Sequence, residues 1–167
     1  MSASENIGPL FLTFSHDRLK LFTSRIVDCL GRLSDEQVWM RASENENAIG
    51  NLVLHLCGNV RQWIGSGVLG MPDARDRQAE FDARETCSKA ELLSRLQTTI
   101  QPALEGIRTL PVSRLSERIH VQYADTTVLE AIYAVVEHFS GHTSQIMFAT
   151  KRLTGQDLGY FKHLTKR

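Results

Sequence analysis

The chain has 167 residues, enough for one domain with a sizeable core. Its 19 Lys and Arg balance 19 Asp and Glu, so the formal net charge is zero and nothing electrostatic argues for a nucleic acid or an anionic membrane as partner. No apolar run approaches the ~20 residues of a membrane span, and residues 1–10 lack the charged start and apolar core of a secretion signal.

The cysteines are Cys29, Cys57 and Cys87. They form no CxxC pair and are odd in number, the pattern of reduced thiols in a cytoplasmic protein. With no internal repeat and no low-complexity segment, a single domain over 1–167 is expected.

Helical periodicity starts the chain. Leu12, Leu19, Phe22, Ile26, Cys29 and Leu33 recur at spacings of three, four and seven, with Pro9 suited to the first turn and Gly31 to the exit. Ser34 and Gln37 form a capping box for a short helical turn ending near Trp39, and Asn47 is placed to cap the next long helix. That helix is expected over 48–64, "AIGNLVLHLCGNVRQWI", closing at Gly65 and Gly67. Residues 66–87 read as a long connection that includes the charged "DARDRQAEFDARE". A second capping box, Ser88 with Glu91, opens a helix through Leu92, Leu96, Ile100, Leu104 and Ile107, with a kink or break expected at Pro102. "RIHVQY" alternates weakly, like a short strand. Thr127 and Glu130 form a third capping box for a helix reaching about Arg152, after which Leu158, Tyr160 and Phe161 are apolar enough to fold back. Four amphipathic helices and no convincing sheet predict an all-α four-helix bundle.

The chemistry concentrates in "EHFSGHTSQI". On a helix, His138 and His142 lie one turn apart on one face and can present nitrogens to a common point. The face continues through Val135 and Ala131 and on to Gln145 and Ala149, which suggests that it points inward. Gly141, costly in mid-helix, suits a place where another backbone comes close. A metal would satisfy both imidazoles, and so would a hydrogen-bonded core network. His55 sits on a polar stripe, Asn51, His55, Asn59 and Gln62, of a helix otherwise lined by Leu52, Val53, Leu56, Val60 and Trp63. Such a stripe is either a solvated face or the lining of a site. Cys57 lies almost opposite His55 around the helix and cannot share its metal. His16, His120 and His163 read as surface or structural residues.

"LSDEQVWMRASENENAIGNLVLHLCGNVRQWI" and, some eighty residues on, "TVLEAIYAVVEHFSGHTSQIMFATKRLTG" together resemble the DinB-like (damage-inducible) superfamily of bacterial metal-binding bundles. The resemblance covers nearly the whole chain. It implies up-down-down-up topology with a long crossover, a homodimer, and a divalent metal, zinc or nickel, held by three histidines. Carried over by motif, these are His55, His138 and His142. Members with known activity are largely thiol-dependent S-transferases and isomerases that use a low-molecular-weight thiol. The chain departs from the pattern at Met40-Arg41-Ala42, where an aromatic and Arg-Pro are common, and at Ser144, where Gly is usual.

Three imidazoles leave a metal at least one open position, the arrangement of a catalytic site. Such a position could hold water or a substrate thiolate, which would then attack an electrophile. Asn51, Asn59, Tyr133, Glu137 and Gln145 are candidates, by helical position, to hold the outer imidazole nitrogens. The expected function is a metal-dependent thiol S-transferase or hydrolase, and the alternatives are a non-catalytic metal-binding bundle, such as a stress-related or storage protein, and a plain dimeric module with a histidine network in its core.

Overall fold

The computed structural model describes residues 7–164. Residues 1–6 and 165–167, which belong to the expected domain span and include part of the N-terminal segment and of the basic tail, lie outside it.

Helix α1 (Ile7–Gly31) leads through the Ser34 capping box into the short α2 (Asp35–Trp39). Helix α3 (Ile49–Val60) continues without a break into a π-helical segment, Arg61–Val68. Helix α4 (Arg77–Asp82) interrupts the long connection, and α5 (Lys89–Thr109) follows from the Ser88 box. A short 3-10 turn, Val112–Ser116, precedes an antiparallel hairpin of β1 (Arg118–Val121) and β2 (Ala124–Thr127), with Arg118 opposite Thr127 and Val121 opposite Ala124. Helix α6 (Val128–Thr154) starts at the Thr127 box.

The four long helices form the core: α1 packs on α5 and α6, and so does α3. Leu19, Ile26 and Leu30 of α1 are fully buried with Leu56 and Ile64 of the third helix, Leu92, Leu96, Ile100 and Ile107 of α5, and Ile132, Phe139 and Ile146 of α6. Apolar positions at helical spacing put these side chains on one face of each element, and their removal from water drives the assembly. Leu158 is buried against this core, and the Tyr160 hydroxyl donates to Asp28 at 2.6 Å; Phe161, expected to fold back too, is exposed. Among the described residues, no helix is long and apolar enough to cross a membrane. The three cysteines are free and buried.

Several local expectations are corrected. Asn47 does not cap α3; the side chain of Asn51 does so from inside, its Oδ1 accepting the Ala48 N–H at 3.2 Å. Gly65 and Gly67 do not close the helix. A side chain at Gly67 would crowd Val121 at 3.0 Å, so that glycine admits the hairpin, and the chain leaves the helix at Gly70, where φ is +72°. Helix α5 runs unbroken through Pro102, which lies on the solvent face, where water can satisfy the carbonyl that loses its partner. "RIHVQY" does contribute a strand, so the fold is helical with one small sheet. Gly141 is exposed, and among the described residues nothing lies within 4 Å of the place of its missing side chain and no second helix approaches there.

Candidate metal centre

His55 lies in the middle of α3, only 5% exposed, on a stripe whose other members are also buried: Asn51 at 0%, Asn59 at 9% and Gln62 at 8%. The stripe is therefore a lining and not a wet face. His138 and His142, half-buried and one turn apart on α6, face it. Ring centroids are 4.9 Å apart for His55 and His138, 5.1 Å for His55 and His142, and 4.4 Å for His138 and His142. One ligand nitrogen from each ring lies within 4.8 Å of the others, so the three histidines are close enough to bind a metal.

Two of the rings are oriented from behind. Glu80 Oε2 is 2.9 Å from His55 Nδ1, and a carboxylate can only accept. The hydrogen of His55 is therefore on Nδ1, and the Nε2 lone pair points into the cluster, 2.9 Å from His138 Nε2. Arg75 Nη2 also lies 3.2 Å from His55 Nδ1, but both are donors converging on the same Glu80 oxygen. Arg75 grips Glu80 with two bonds, Nε to Oε1 at 2.8 Å and Nη2 to Oε2 at 2.9 Å, and the two side chains are 4% and 8% exposed. The Phe81 ring stands 4.7 Å from the His55 ring. His142 Nδ1 is held in the same manner by Gln145 Oε1 at 2.7 Å.

Glu80 arrives on α4, a helix too short to be stable alone. Asp76 caps its start, accepting from the Ala79 N–H at 3.0 Å. The amide of Asn51 donates to the carbonyls of Glu80 at 2.9 Å and Ala83 at 3.0 Å, satisfying groups that the helix end leaves orphaned. Gly58 makes the close approach possible, because a Cβ there would fall on the Glu80 carboxylate. Gln62 completes the clamp. Its Oε1 accepts from Arg75 at 3.0 Å and its Nε2 donates to Asp73 at 2.8 Å.

The electrostatics suit neutral ligands. Burial, together with the neighbouring His142, His55, Arg75 and Arg77, pushes His138 down to about 4. Burial likewise lowers His142, against the hydrogen bond to Gln145. Burial pushes the Glu80 carboxyl up, but the hydrogen bonds from Arg75 and His55 outweigh it and hold the group below the usual carboxylate range. The cysteine thiols are all raised by burial, Cys57 to about 11, and none belongs to the cluster.

Those residues fit a divalent cation. On a tetrahedral ion with bonds near 2.05 Å, two imidazole nitrogens sit roughly 3.3 Å apart. The 2.9 Å between His55 and His138 is within a few tenths of an ångström of that. The buried carboxylate behind His55 is one of the partners to which a metal-ligating histidine usually donates its outer N–H.

Two cavities border the cluster. The larger, about 560 Å³, borders His142 and Gln145 and is walled by Met40, Ile49, Phe148 and Arg152. The smaller, about 200 Å³, borders His55 and His138 and is walled by Asn59, Trp63, Arg77 and Tyr123.

Of the five candidates for the outer nitrogens, Gln145 holds a ring directly. Asn51 acts one step removed, through α4, and Asn59 lines the smaller cavity without touching a ring nitrogen. Tyr133 and Glu137 are exposed and bond to no imidazole. The face that carries the pair is buried at Ala131 and Val135 but opens to solvent by Gln145, so it is only half inward. His120, exposed, pairs with Asp125 at 2.7 Å; His16 pairs with Asp17 at 3.0 Å; His163 is exposed. Sequence reasoning missed Glu80, Arg75 and Phe81, which sit in the segment read as a connection. One signal pointed there: Gly58, an otherwise unexplained glycine one turn after His55.

No functionally curated protein matches this sequence. A family model described as a protein of unknown function, DUF1572, matches residues 6–165. The match spans the bundle and all three histidines, and the chain belongs to the DUF1572 family.

Proposed function

We propose that this protein is a DinB-like, divalent-metal-dependent thiol S-transferase. In this reading His55, His138 and His142 hold zinc or nickel, and the bundle has up-down-down-up topology and works as a homodimer. The carrying observation is the convergence of three imidazoles, one of them tied to a buried carboxylate that fixes its hydrogen on the outward nitrogen. Three nitrogen ligands and no cysteine is the donor set of a cation with an open position, whereas structural zinc favours four ligands rich in cysteine. When bound, the cation supplies Lewis acidity that draws a thiol toward thiolate, or acidifies water, near neutral pH.

The chain's own residues do the rest. Glu80 and Gln145 keep the hydrogens of His55 and His142 on Nδ1. Burial keeps His138 unprotonated and available. The larger cavity offers Met40, Phe148 and Ile49 to an apolar electrophile, with Arg152 at its wall for an anionic group. The transfer forms one S–C bond and breaks one bond from that carbon to its leaving group, which departs with the electron pair, while the thiol proton passes to solvent.

One observation favours a second reading, a metal-binding bundle without catalysis. Glu80, the carboxylate bonded to the cluster, is fully committed to Arg75 and His55 and is not free to move a proton. A thiol panel with chlorodinitrobenzene or monobromobimane separates the two. The S-transferase reading expects at least one thiol to react faster with the metal-loaded protein than with a His55→Ala variant. No difference for any thiol refutes it. Metal content of protein purified without a histidine tag tests both readings together. Less than about a tenth of an equivalent of zinc, nickel, iron or manganese, with no binding on addition, leaves only a hydrogen-bonded histidine network.

A further inference from the structure

The smaller cavity carries polar groups that the fold does not use. Asn59 is 9% exposed, and its Oδ1 is buried with no hydrogen-bond partner. Among the described residues its amide makes no hydrogen bond at all, although it lines the cavity beside His55 and His138. Leaving a buried amide unpaired costs about 1–3 kcal/mol. Its neighbours on the same stripe are fully engaged: Asn51 holds α4, and Gln62 holds Arg75 and Asp73. Asn59 therefore contributes nothing to the clamp that the rest of the stripe builds.

Arg77 is the second such group. It is exposed and pairs with no carboxylate among the described residues. Its guanidinium stacks over the Phe81 ring at 4.8 Å, which fixes it at the cavity wall and leaves its N–H edge free. Arg75, the other guanidinium of the cavity, is neutralised by Glu80. The lining thus carries one positive charge without an ion-pair partner among the described residues, the unengaged amide of Asn59, and two imidazoles of the cluster. The Trp63 Nε1–H donates to Gln122 Oε1 at 3.1 Å, which ties the hairpin turn to the cavity wall.

We propose that this cavity is a binding site for a small carboxylate, with the carboxylate on Arg77 and a polar group of the same molecule on the Asn59 amide that lines the wall. Planar guanidinium is suited to bidentate carboxylate recognition. The volume, about 200 Å³, is roughly seven waters' worth, room for a molecule of about seven non-hydrogen atoms. Because the site borders the His55 and His138 rings, its occupant is the thiol co-substrate, a small thiol acid; that identification rests on the S-transferase reading above. The electrophile then uses the larger cavity, which borders His142, so the two reactants reach the cluster at different histidines.

Two titrations test the site and keep it distinct from that reading. In the first, the metal-free chain at pH 7.5 is titrated with glycolate and with its neutral counterpart glycolamide, followed through the imidazole carbon signals of His138 and His55. Glycolate should bind about tenfold more tightly, the worth of one charge-assisted hydrogen bond, and Arg77→Gln, on an exposed side chain, should erase the preference. Equal binding of the two, or a preference that survives Arg77→Gln, overturns the proposal. Asn59→Ala should weaken both ligands; unchanged affinity overturns the role of Asn59. In the second, the Co(II)-loaded protein is titrated with mercaptoacetate and 2-mercaptoethanol, read from the sulfur-to-cobalt charge-transfer band. A tenfold preference for mercaptoacetate supports the thiol-acid assignment. A sulfur band with equal affinities overturns it and leaves the S-transferase reading standing. Glycolate preference with no sulfur band for either thiol keeps the carboxylate site and refutes the S-transferase reading.

Discussion

Replacing Glu80 by Ala should both destabilise the bundle and weaken the metal site. The carboxylate is 8% exposed and accepts three charge-assisted hydrogen bonds, two from Arg75 and one from His55. Taken singly, bonds to a charged group are worth about 1.5–3 kcal/mol each. They are not additive here, because deletion also removes the desolvation cost of Glu80 and lets water reach Arg75. The governing quantity is the stranded guanidinium, with its side chain 4% exposed, and breaking a buried pair in this manner costs about 3–5 kcal/mol. For a chain of this length each kcal/mol moves the melting temperature by about 2–4 °C. The metal-free variant should therefore melt about 6–20 °C below the parent, measured by circular dichroism. Zinc affinity, measured by competition with a chromophoric chelator, should fall about 10–100-fold as His55 loses its fixed tautomer. Glu80→Leu combined with Arg75→Met removes both charges together and should recover much of the melting temperature while leaving zinc binding weak. A melting point for Glu80→Ala within about 2 °C of the parent, or undiminished zinc affinity, would refute the reasoning.

The same geometry makes further outcomes testable. Gly58→Ala puts a methyl group where the Glu80 carboxylate lies, so it should push α4 outward and reproduce the weak zinc binding of Glu80→Ala; wild-type affinity would show that α4 does not orient His55. His55→Ala should abolish tight zinc binding, since it removes the buried ligand of the three, and unchanged affinity would take His55 out of the site. Acid should destabilise the metal-free protein through His138. The unfolded chain takes up that proton near pH 6.5 and the folded chain only near 4, so the unfolded state binds more protons between them and stability falls as pH drops through that window. Urea titrations at pH 7, 6 and 5 should show that slope, and His138→Gln should make it shallower, leaving the part that His142 contributes. Chelation of a resident ion should lower the melting temperature by about 8–16 °C if free metal stood at 1,000 times its dissociation constant, and no shift would mean that the cluster held none.

The helices and most of their ends were legible because their signals are local. Ser34, Ser88 and Thr127 each cap a helix as expected, since a Ser or Thr followed three residues on by Gln or Glu needs no tertiary partner to close the box. Asn47 failed for the converse reason, as the side chain of Asn51, already inside α3, takes the Ala48 N–H. The glycines at 65 and 67 carry the usual mark of a helix end, yet Gly67 instead accommodates the hairpin, a distant part of the chain, against Val121. Helix α4 carries no apolar stripe of its own; it exists because Asn51, Gln62 and Gly58 receive it.

The residue pattern by itself determined the helical class, the spacing that puts His138 and His142 on one face, and the polar stripe that carries His55, all consequences of a 3.6-residue repeat that acts within one element. Whether that stripe was wet or buried, and what stood behind each imidazole, was decided only when the elements packed. Glu80 reaches His55 across 25 residues of chain, and His138 across 83. Such meetings depend on which faces bury together, and no periodicity within a single helix encodes that.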